Sequence, residues 1–193
     1  SQLESPPLNR LPVLTYVIQK NDNIVKDVIE RELSRHGQVF YLYNNVSDIH
    51  SIAMKLQQAL PQAKVGIAHG QMHRDDIEDV MLQFTSNQIN VLVCTTIVET
   101  GIDIPNANTM IIDRADTFGL SLLYQIKGRV GRSDRLAYAY LMYNPKKQLT
   151  EIAQKRLQSI KEFTELGSGY KIAMRDLTIR GAGEMLGDNQ SGF

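Results

Sequence analysis

The stretch Gln125-Ile126-Lys127-Gly128-Arg129-Val130-Gly131-Arg132 combines fixed positive charge with glycine. Arginine presents a rigid fork of donors that matches phosphate oxygens, and glycine lets the backbone approach a ligand without an intervening side chain. The compound pattern therefore favours a polyphosphate site over the alternative, a basic turn on the surface.

The loop from Thr95 to Pro105 follows an apolar run and gathers hydroxyls, two carboxylates and a glycine. Hydroxyls and backbone amides can hold a nucleic-acid phosphate, and Asp103 can accept from a ribose hydroxyl. The alternative is a hydroxyl-rich turn that satisfies its own backbone.

The segment from Ala68 to His73 carries two histidines four positions apart. No third ligand stands at a familiar metal spacing, so we expect no metal here. A loop that contacts a phosphate or caps the next helix fits better. His36 and His50 are predicted at helix positions without partners and without a functional role.

The end of the chain combines arginine with glycine. Arg156, Arg175 and Arg180 accompany a glycine-rich segment over 181–192. The spacing of these arginines fits two interpretations equally well: a functional element, or the solvated face of a pair of helices.

Two features of nucleotide hydrolases are absent from the sequence. There is no Gly-x-x-x-x-Gly-Lys-[Ser/Thr] loop and no Asp-Glu pair after a strand to hold magnesium. The chain is therefore expected to form one wall of an ATP site whose other wall lies on a different domain.

The elements that would position these residues alternate between strand and helix. Strands are predicted at 13–18, 39–43, 64–68, 89–94, 109–112 and 137–143, and helices at 24–35, 48–60, 74–84, 120–126, 149–166 and 171–178. This alternation predicts an open parallel sheet covered by helices on both faces, with ligands beyond the carboxyl ends of the strands. Gly37 is predicted to end the first helix in a left-handed cap.

Composition sets wider limits. With 193 residues, 42% hydrophobic residues and 21 acidic against 21 basic side chains, we expect one core with an appendage and only local basic patches. The single cysteine, Cys94, is expected to be a buried, inert thiol. With one cysteine no disulfide can form within the chain, which favours a reducing compartment and a cytoplasmic location. No apolar stretch approaches the ~20 residues of a membrane span, so no membrane partner is expected. The abrupt ends suggest a piece of a longer protein.

Two of these motifs together resemble a known superfamily. Motif V of superfamily 2 helicases and translocases resembles Val91-Leu92-Val93-Cys94-Thr95-Thr96 together with Glu99-Thr100-Gly101-Ile102-Asp103-Ile104-Pro105. Motif VI of the same proteins resembles Gln125-x-x-Gly128-Arg129-x-Gly131-Arg132. The resemblance implies the second RecA-like lobe of such a motor. Domain boundaries follow: a linker over 1–12, the lobe over 13–145, and a helical hairpin with a translocation-motif loop over 146–193.

The last residues of the chain, from Asp176 to Gly192, resemble a smaller group within this superfamily. RecG-type helicases and the bacterial transcription-repair coupling factors share a motif that is similar to this part of the chain. The similar residues are Asp176-Leu177-Thr178-Ile179-Arg180-Gly181-Ala182-Gly183-Glu184, Gly187 and Gln190-Ser191-Gly192. Tyr41-Leu42-Tyr43-Asn44, Arg114-Ala115-Asp116 and Ala182 look like the coupling factors. RecG-type chains tend to carry Glu-Val-Gly-Val-Asp where this chain has Glu99-Thr100-Gly101-Ile102-Asp103.

The resemblance implies a role for each matching residue. Arg132 would be the arginine finger on the γ-phosphate of ATP bound with Mg²⁺, Arg129 a second charge, and Gln125 an ordering group. Gly101 and Asp103 would lie near the nucleotide. The track for double-stranded DNA would be formed by Thr95, Thr96, His69 and Gly70. Coupling of ATP turnover to stepping would involve Arg156, Arg180 and Gln190.

The function implied is half of an ATP-driven DNA translocase that displaces stalled RNA polymerase and recruits excision-repair proteins through other domains. Two alternatives stay open. One is a lobe of a RecG-like fork-remodelling helicase, and the other is a non-catalytic DNA- or protein-binding module that has kept the lobe fold.

Replacing Arg132 with Ala in the full-length protein should lower kcat for ATP hydrolysis by about 10³-fold or more. The guanidinium would neutralise charge that develops only in the transition state, so ATP affinity should change far less. Steady-state ATPase kinetics and nucleotide titration measure both quantities. A kcat within about threefold of the parent would make Arg132 an ordinary surface arginine.

Overall fold

The computed structural model describes residues 13–95, 107–118, 135–144 and 150–164, with side chains in the last range described as far as residue 159. Within these ranges the chain forms a six-stranded sheet in the order β1-β6-β5-β2-β4-β3, in which each paired strand is parallel to its neighbour. The strands are β1 (Val13–Gln19), β2 (Gln38–Tyr43), β3 (Val65–Ala68), β4 (Val91–Cys94), β5 (Ala107–Asp113) and β6 (Ala137–Tyr143). The predicted parallel sheet is confirmed.

The described helices are α1 (Asp22–Ser34), α2 (Ile49–Ala59), α3 (Arg74–Thr85) and α4 (Glu151–Thr164), and a short 3₁₀ turn covers Ala115–Thr117. Each α-helix lies where the apolar periodicity predicts one, with ends shifted by up to two residues. β4 begins at Val91, two residues later than predicted, while β5 extends beyond the predicted 109–112 on both sides. The helices predicted at 120–126 and 171–178 lie outside the described residues.

The sheet separates two apolar layers, because successive side chains of a strand point to opposite faces. In β2, Tyr41 packs with α1 and α2 on one face, while Leu42 packs with α3 and α4 on the other. Burial on both faces explains why β2, β4 and β5 read as nearly continuous apolar runs rather than alternating ones.

The order of the strands sets where the chain reverses across the sheet. From β1 to β2 to β3 the chain moves toward one edge, with α1 and α2 on one face. From β3 through β4 and β5 to β6 it moves back, with α3 on the opposite face. Crossovers in parallel sheets are right-handed, so a change of direction requires a change of face. The connections that follow the neighbouring strands β5 and β2 therefore run in opposite directions across the sheet, which leaves room for a ligand at the carboxyl ends of these two strands.

The end of α1 differs from the prediction. His36, not Gly37, holds the left-handed conformation, with φ of 65°. The amide of Gly37 donates to the carbonyl of Glu32 and the amide of His36 to that of Leu33, at 2.9 and 3.0 Å, which is the hydrogen-bond pattern of a Schellman motif. A Cβ on Gly37 would lie 1.8 Å from Oε2 of Glu32, so glycine is required here for space. His36 therefore follows the helix and does not belong to it.

The buried carboxylate of Glu32 joins three elements. Arg35 donates to it through Nε, to Oε2, and through Nη2, to Oε1, both at 2.7 Å. The hydroxyl of Thr109 on β5 also donates to Oε1. Arg35 Nη2 also donates to the carbonyl of Leu136 at 2.6 Å, just before β6. The hydrogen bond to Glu32 raises the pKa of the Arg35 guanidinium further above its usual value. The network fixes the end of α1 to the centre of the sheet.

Cys94 is fully buried at the end of β4, and its burial raises the pKa of the thiol well above the usual range. The expectation of a buried, inert cysteine agrees with this environment. None of the helices described here is long and apolar enough to cross a membrane.

Replacing Arg35 with Ala should reduce the free energy of unfolding by about 2–3 kcal/mol, because Glu32 would keep a buried charge without its partner. The loss should stay below that of a fully buried pair, since the Arg35 side chain is 28% exposed. Urea unfolding followed by circular dichroism measures the change.

Arg31→Ala is the matched control, because Arg31 lies on the same helix over the Tyr138 ring at 5.9 Å and is exposed. It should cost about 1 kcal/mol or less. Equal losses from the two substitutions would contradict a special role for the Glu32 network.

Candidate functional site

Three predicted DNA-binding residues lie together at the carboxyl edge of the sheet. The register pairs Ala68 of β3 with Cys94 of β4, so His69 and Thr95 leave neighbouring strands side by side. The amide of Thr95 donates to the carbonyl of Ala68 at 3.2 Å. Thr95 and His69 are largely buried, whereas Gly70 is exposed. The structure therefore places a threonine, a histidine and an open glycine backbone within one small region.

The loop from His69 to His73 is held by its own side chains. Nδ1 of His69 accepts from the amide of Gln71 at 3.2 Å, and the amide of His69 donates to the sulfur of Met72 at 3.3 Å. His73 caps α3, because its Nδ1 accepts from the amide of Asp75 at 3.3 Å. Capping of the next helix by this loop, one of the two interpretations favoured from the sequence, is confirmed. Contact with a phosphate stays a prediction.

His50 has a ring partner that the sequence did not reveal. It lies in the first turn of α2, and its ring packs edge-on against the ring of His69, with centroids 5.8 Å apart. The prediction that His50 has no partner is therefore wrong, since α2 and the loop after β3 meet at the same edge. Among the residues that the structure describes, no group of three or more His, Cys, Asp or Glu side chains is arranged to hold a metal.

A buried acidic group lies at the ends of β1, β2 and β5. Lys20 Nζ and the hydroxyl of Tyr41 both donate to Oδ2 of Asp113, each at 2.7 Å. Burial and the neighbouring Asp113 carboxylate raise the pKa of Tyr41 well above its usual value. The sequence analysis missed this group, because Lys20 and Asp113 are 93 residues apart. Its only signal was that each of the two charges stands at the end of a predicted strand.

Arg114 adopts a strained conformation directly after β5. Its φ is 56°, in the left-handed region of backbone conformation, which few residues other than glycine, asparagine and aspartate adopt readily. Its guanidinium lies over the ring of Tyr43, 5.2 Å from the centroid. Strain of this kind persists only where the surroundings enforce it, and it is frequent at functional sites.

Arg156, predicted to take part in coupling, does not lie on a solvated face. It is half-buried, and its Nη1 donates to the carbonyls of Asp116 and Phe118 at 3.3 and 3.2 Å. Ala153 and Leu157 of the same helix are buried in the core. α4 therefore packs on the sheet, and Arg156 connects it to the 3₁₀ turn after β5.

All of the remaining predicted site residues lie outside the described residues, and their placement stays a prediction. They are Thr96, Gly101, Asp103, Gln125, Arg129, Arg132, Arg180 and Gln190. The described residues on either side place the ends of two of these segments. In the chain, Gly101 and Asp103 lie between β4 and β5, and Arg132 precedes β6.

The comparison with protein families gives the class of this parallel sheet and its carboxyl edge. Residues 20–134 match the helicase conserved C-terminal domain. The chain belongs to this family.

Curated relatives extend the match to the whole chain. It is 59% identical over all 193 residues to the transcription-repair-coupling factor of Staphylococcus haemolyticus and to that of Staphylococcus aureus. The chain spans 16% of the length of these relatives.

Solved structures place the fold among helicases. RecG bound to a three-way DNA junction superposes with a TM-score of 0.72 and 34% identity over 98% of this chain and 25% of that chain. The C-terminal domain of Saccharomyces cerevisiae Dbp5 superposes with a TM-score of 0.58 and 17% identity, over 79% of this chain and 85% of that domain. The second likeness concerns the fold alone.

Thr95→Val in the full-length protein should weaken binding to duplex DNA roughly fivefold, the effect of one lost hydrogen bond of about 1 kcal/mol. The substitution keeps the side-chain shape and removes only the hydroxyl. Fluorescence anisotropy with a labelled duplex in the absence of nucleotide measures the affinity.

Thr85→Val is the matched control, because Thr85 ends α3 at the opposite edge of the sheet and donates only to the carbonyl of Leu82. It should leave DNA affinity unchanged, and Thr95→Ser should restore it. An unchanged affinity for Thr95→Val would remove Thr95 from the DNA track.

Proposed function

We propose that this chain is the second motor lobe of an ATP-dependent double-stranded DNA translocase that acts in transcription-coupled DNA repair. The observation that carries the proposal is the 59% identity over the entire chain to transcription-repair-coupling factors. The placement of Thr95, His69 and Gly70 at one edge of a helicase lobe supports it. The parent protein would displace stalled RNA polymerase and recruit excision-repair proteins through other domains, in the cytoplasm.

The ATP half of the proposal rests on Arg132, Arg129 and Gln125, with Gly101 and Asp103 near the nucleotide. ATP with Mg²⁺ would be held mainly by the first RecA-like lobe of the same parent, because this chain lacks a phosphate-binding loop and a pair of magnesium carboxylates. When the lobes close, Arg132 would meet the γ-phosphate in the transition state.

The DNA half rests on the carboxyl edge. Gly70 offers a backbone without a side chain, and the hydroxyls of Thr95 and Thr96 are suited to phosphate oxygens, which accept from hydroxyl and amide donors. Contacts of this kind carry no sequence information. They suit a motor that must move along any duplex.

Coupling is assigned to Arg156, Arg180 and Gln190. Arg156 links α4 to the turn after β5 through the carbonyls of Asp116 and Phe118. In this proposal, Arg180 and Gln190 belong to the translocation-motif loop of the 146–193 segment, which moves with lobe closure.

A RecG-like fork-remodelling helicase is the second candidate. It is favoured by the TM-score of 0.72 to RecG, although identity to that chain is 34% against 59% to the coupling factors. A non-catalytic DNA- or protein-binding lobe is the third. Sequence upstream of this chain separates the first two, since a polymerase-binding domain indicates the coupling factor and a wedge domain indicates RecG.

The test uses the full-length parent protein. It should hydrolyse ATP faster when duplex DNA is added and should displace a third strand from a triplex substrate, because it moves along the duplex. The isolated 193-residue chain should hydrolyse no ATP above background, with or without DNA. Turnover by this chain alone would contradict the two-lobe site, and a full-length protein without DNA-stimulated hydrolysis would be a binding module.

Coupling variants sharpen the same experiment. Arg180→Ala and Gln190→Ala in the parent should retain DNA binding and much of the ATPase but lose triplex displacement. Equal loss of ATPase and displacement would mean that the tail only supports the fold. Normal displacement by both variants would make it a solvated appendage.

A further inference from the structure

A cleft of about 590 Å³ lies between α1 and α2, on the face of the sheet away from α3 and α4. One wall includes Val25 and Lys26 of α1, and the other runs along α2 from Ile52 to Leu60. Tyr41 of β2 forms part of the floor. Of the residues proposed above for DNA or coupling that the structure describes, which are His69, Gly70, Thr95 and Arg156, none lines this cleft.

The floor and the rim of the cleft differ in chemistry. The apolar side chains of the lining, together called the floor, are Val25, Tyr41, Ile52, Leu56 and Leu60. Ile52 is partly exposed, and the other four are buried. Lys26 and Lys55 stand on opposite walls and are both exposed. No hydrogen bond or ion pair of their ammonium groups occurs among the residues that the structure describes. An apolar floor between two accessible cations is complementary to an apolar side chain flanked by carboxylates.

The mouth of the cleft adds further positive charge. Lys20 and Arg114 line it beside Asp113, and Asp22 is the other acidic residue of the lining. Four cations and two carboxylates leave a formal charge of +2 in a chain whose net charge is zero. Since Lys20 already neutralises Asp113 at 2.7 Å, most of the attraction available to a ligand comes from Lys26, Lys55 and Arg114.

The length of the cleft indicates the size of its ligand. From Ile52 to Leu60 the wall of α2 advances by eight residues, or about 12 Å at 1.5 Å per residue. An extended peptide covers about 3.3 Å per residue, so roughly four residues fit. A nucleic-acid backbone would match the lysines but would leave the exposed apolar surface of Ile52 and Ala59 in water, which favours a peptide over a phosphodiester.

We propose that the cleft between α1 and α2 is a docking site for a short acidic segment of a separate partner protein, with an apolar side chain on the floor and carboxylates on Lys26 and Lys55. A contact of this size buries far less surface than a stable complex needs. Exposed charges at its rim make association fast and sensitive to salt. Both properties suit a partner that binds and leaves, rather than a permanent interface within one chain.

The test uses the full-length protein and a fluorescein-labelled peptide, Gly-Ser-Asp-Glu-Leu-Phe-Asp-Glu-Gly-Ser, followed by fluorescence anisotropy at 50 mM salt. The expected Kd is roughly 10–100 μM, a range typical of weak, transient contacts. Affinity should fall at least tenfold at 300 mM salt. A peptide in which Ser-Ser replaces Leu-Phe should bind at least tenfold more weakly, because it cannot use the floor.

The variant Lys26→Glu with Lys55→Glu should lose at least tenfold in peptide affinity, since it repels the carboxylates from both walls. Both side chains are exposed, so circular dichroism melting should show an intact fold. Lys64→Glu is the matched control, an exposed lysine that does not line the cleft, and should change affinity less than twofold.

Three results would overturn the proposal. The first is no peptide binding up to about 1 mM, as expected if another part of the parent protein already covers the cleft. The second is binding that the double charge reversal or the Ser-Ser peptide leaves unchanged. The third is displacement of the peptide by a 20-base-pair DNA duplex, which would make the cleft part of a nucleic-acid track.

Discussion

Parallel pairing of the six described strands is the constraint on which the rest of the structure depends. It requires long crossovers, places helices on both faces and brings the carboxyl ends of all the strands to one edge. The chain reverses direction between β2 and β5, and this reversal divides the edge into two regions. Thr95, His69 and Gly70 lie on the β4 and β3 side. Lys20 and Asp113 lie at the strand ends on the other side, beside the mouth of the cleft between α1 and α2.

Two buried carboxylates hold this arrangement at opposite edges of the sheet. Asp113 joins the carboxyl ends of β1, β2 and β5 through Lys20 and Tyr41. Glu32 joins the end of α1 to β5 and to the residues before β6. An unpaired buried charge costs several kcal/mol, so each carboxylate admits few alternative packings of its neighbours. Both link residues that are distant in sequence, and the hydrogen bond between Thr109 and Glu32 joins β5 to α1.

The sequence predicted the parallel sheet and most helix positions because apolar periodicity is a local signal. It also predicted that His69, Gly70 and Thr95 belong to loops at one edge, since each follows a predicted strand. It placed the left-handed residue at Gly37 because glycine favours that conformation. Position 37 requires glycine for a different reason, because the Glu32 carboxylate fills the space that a Cβ would need. That contact is set by packing and has no local signature.

The partners of charged side chains were equally hidden. The Lys20–Asp113 pair spans 93 residues, and no periodicity connects its members. The edge-on contact between His50 and His69 joins a helix to the loop after the next strand. Such pairings depend on strand order, which the sequence did not provide. Strand ends were the useful signal, because a charge that follows a buried strand lies where ligands and other strand ends meet.

Arg156 shows how a helix outside the sheet can influence the edge. Its guanidinium is partly buried and donates hydrogen bonds to two carbonyls, those of Asp116 and Phe118. A hydrogen bond from a charged donor contributes about 1.5–3 kcal/mol. The turn between those carbonyls follows β5 and precedes the segment that carries Arg129 and Arg132 in the chain. Because Ala153 and Leu157 anchor the same helix in the core, a displacement of α4 must either break these hydrogen bonds or move the turn with it. The end of β5 is thus the place where a displacement of α4 would reach the sheet.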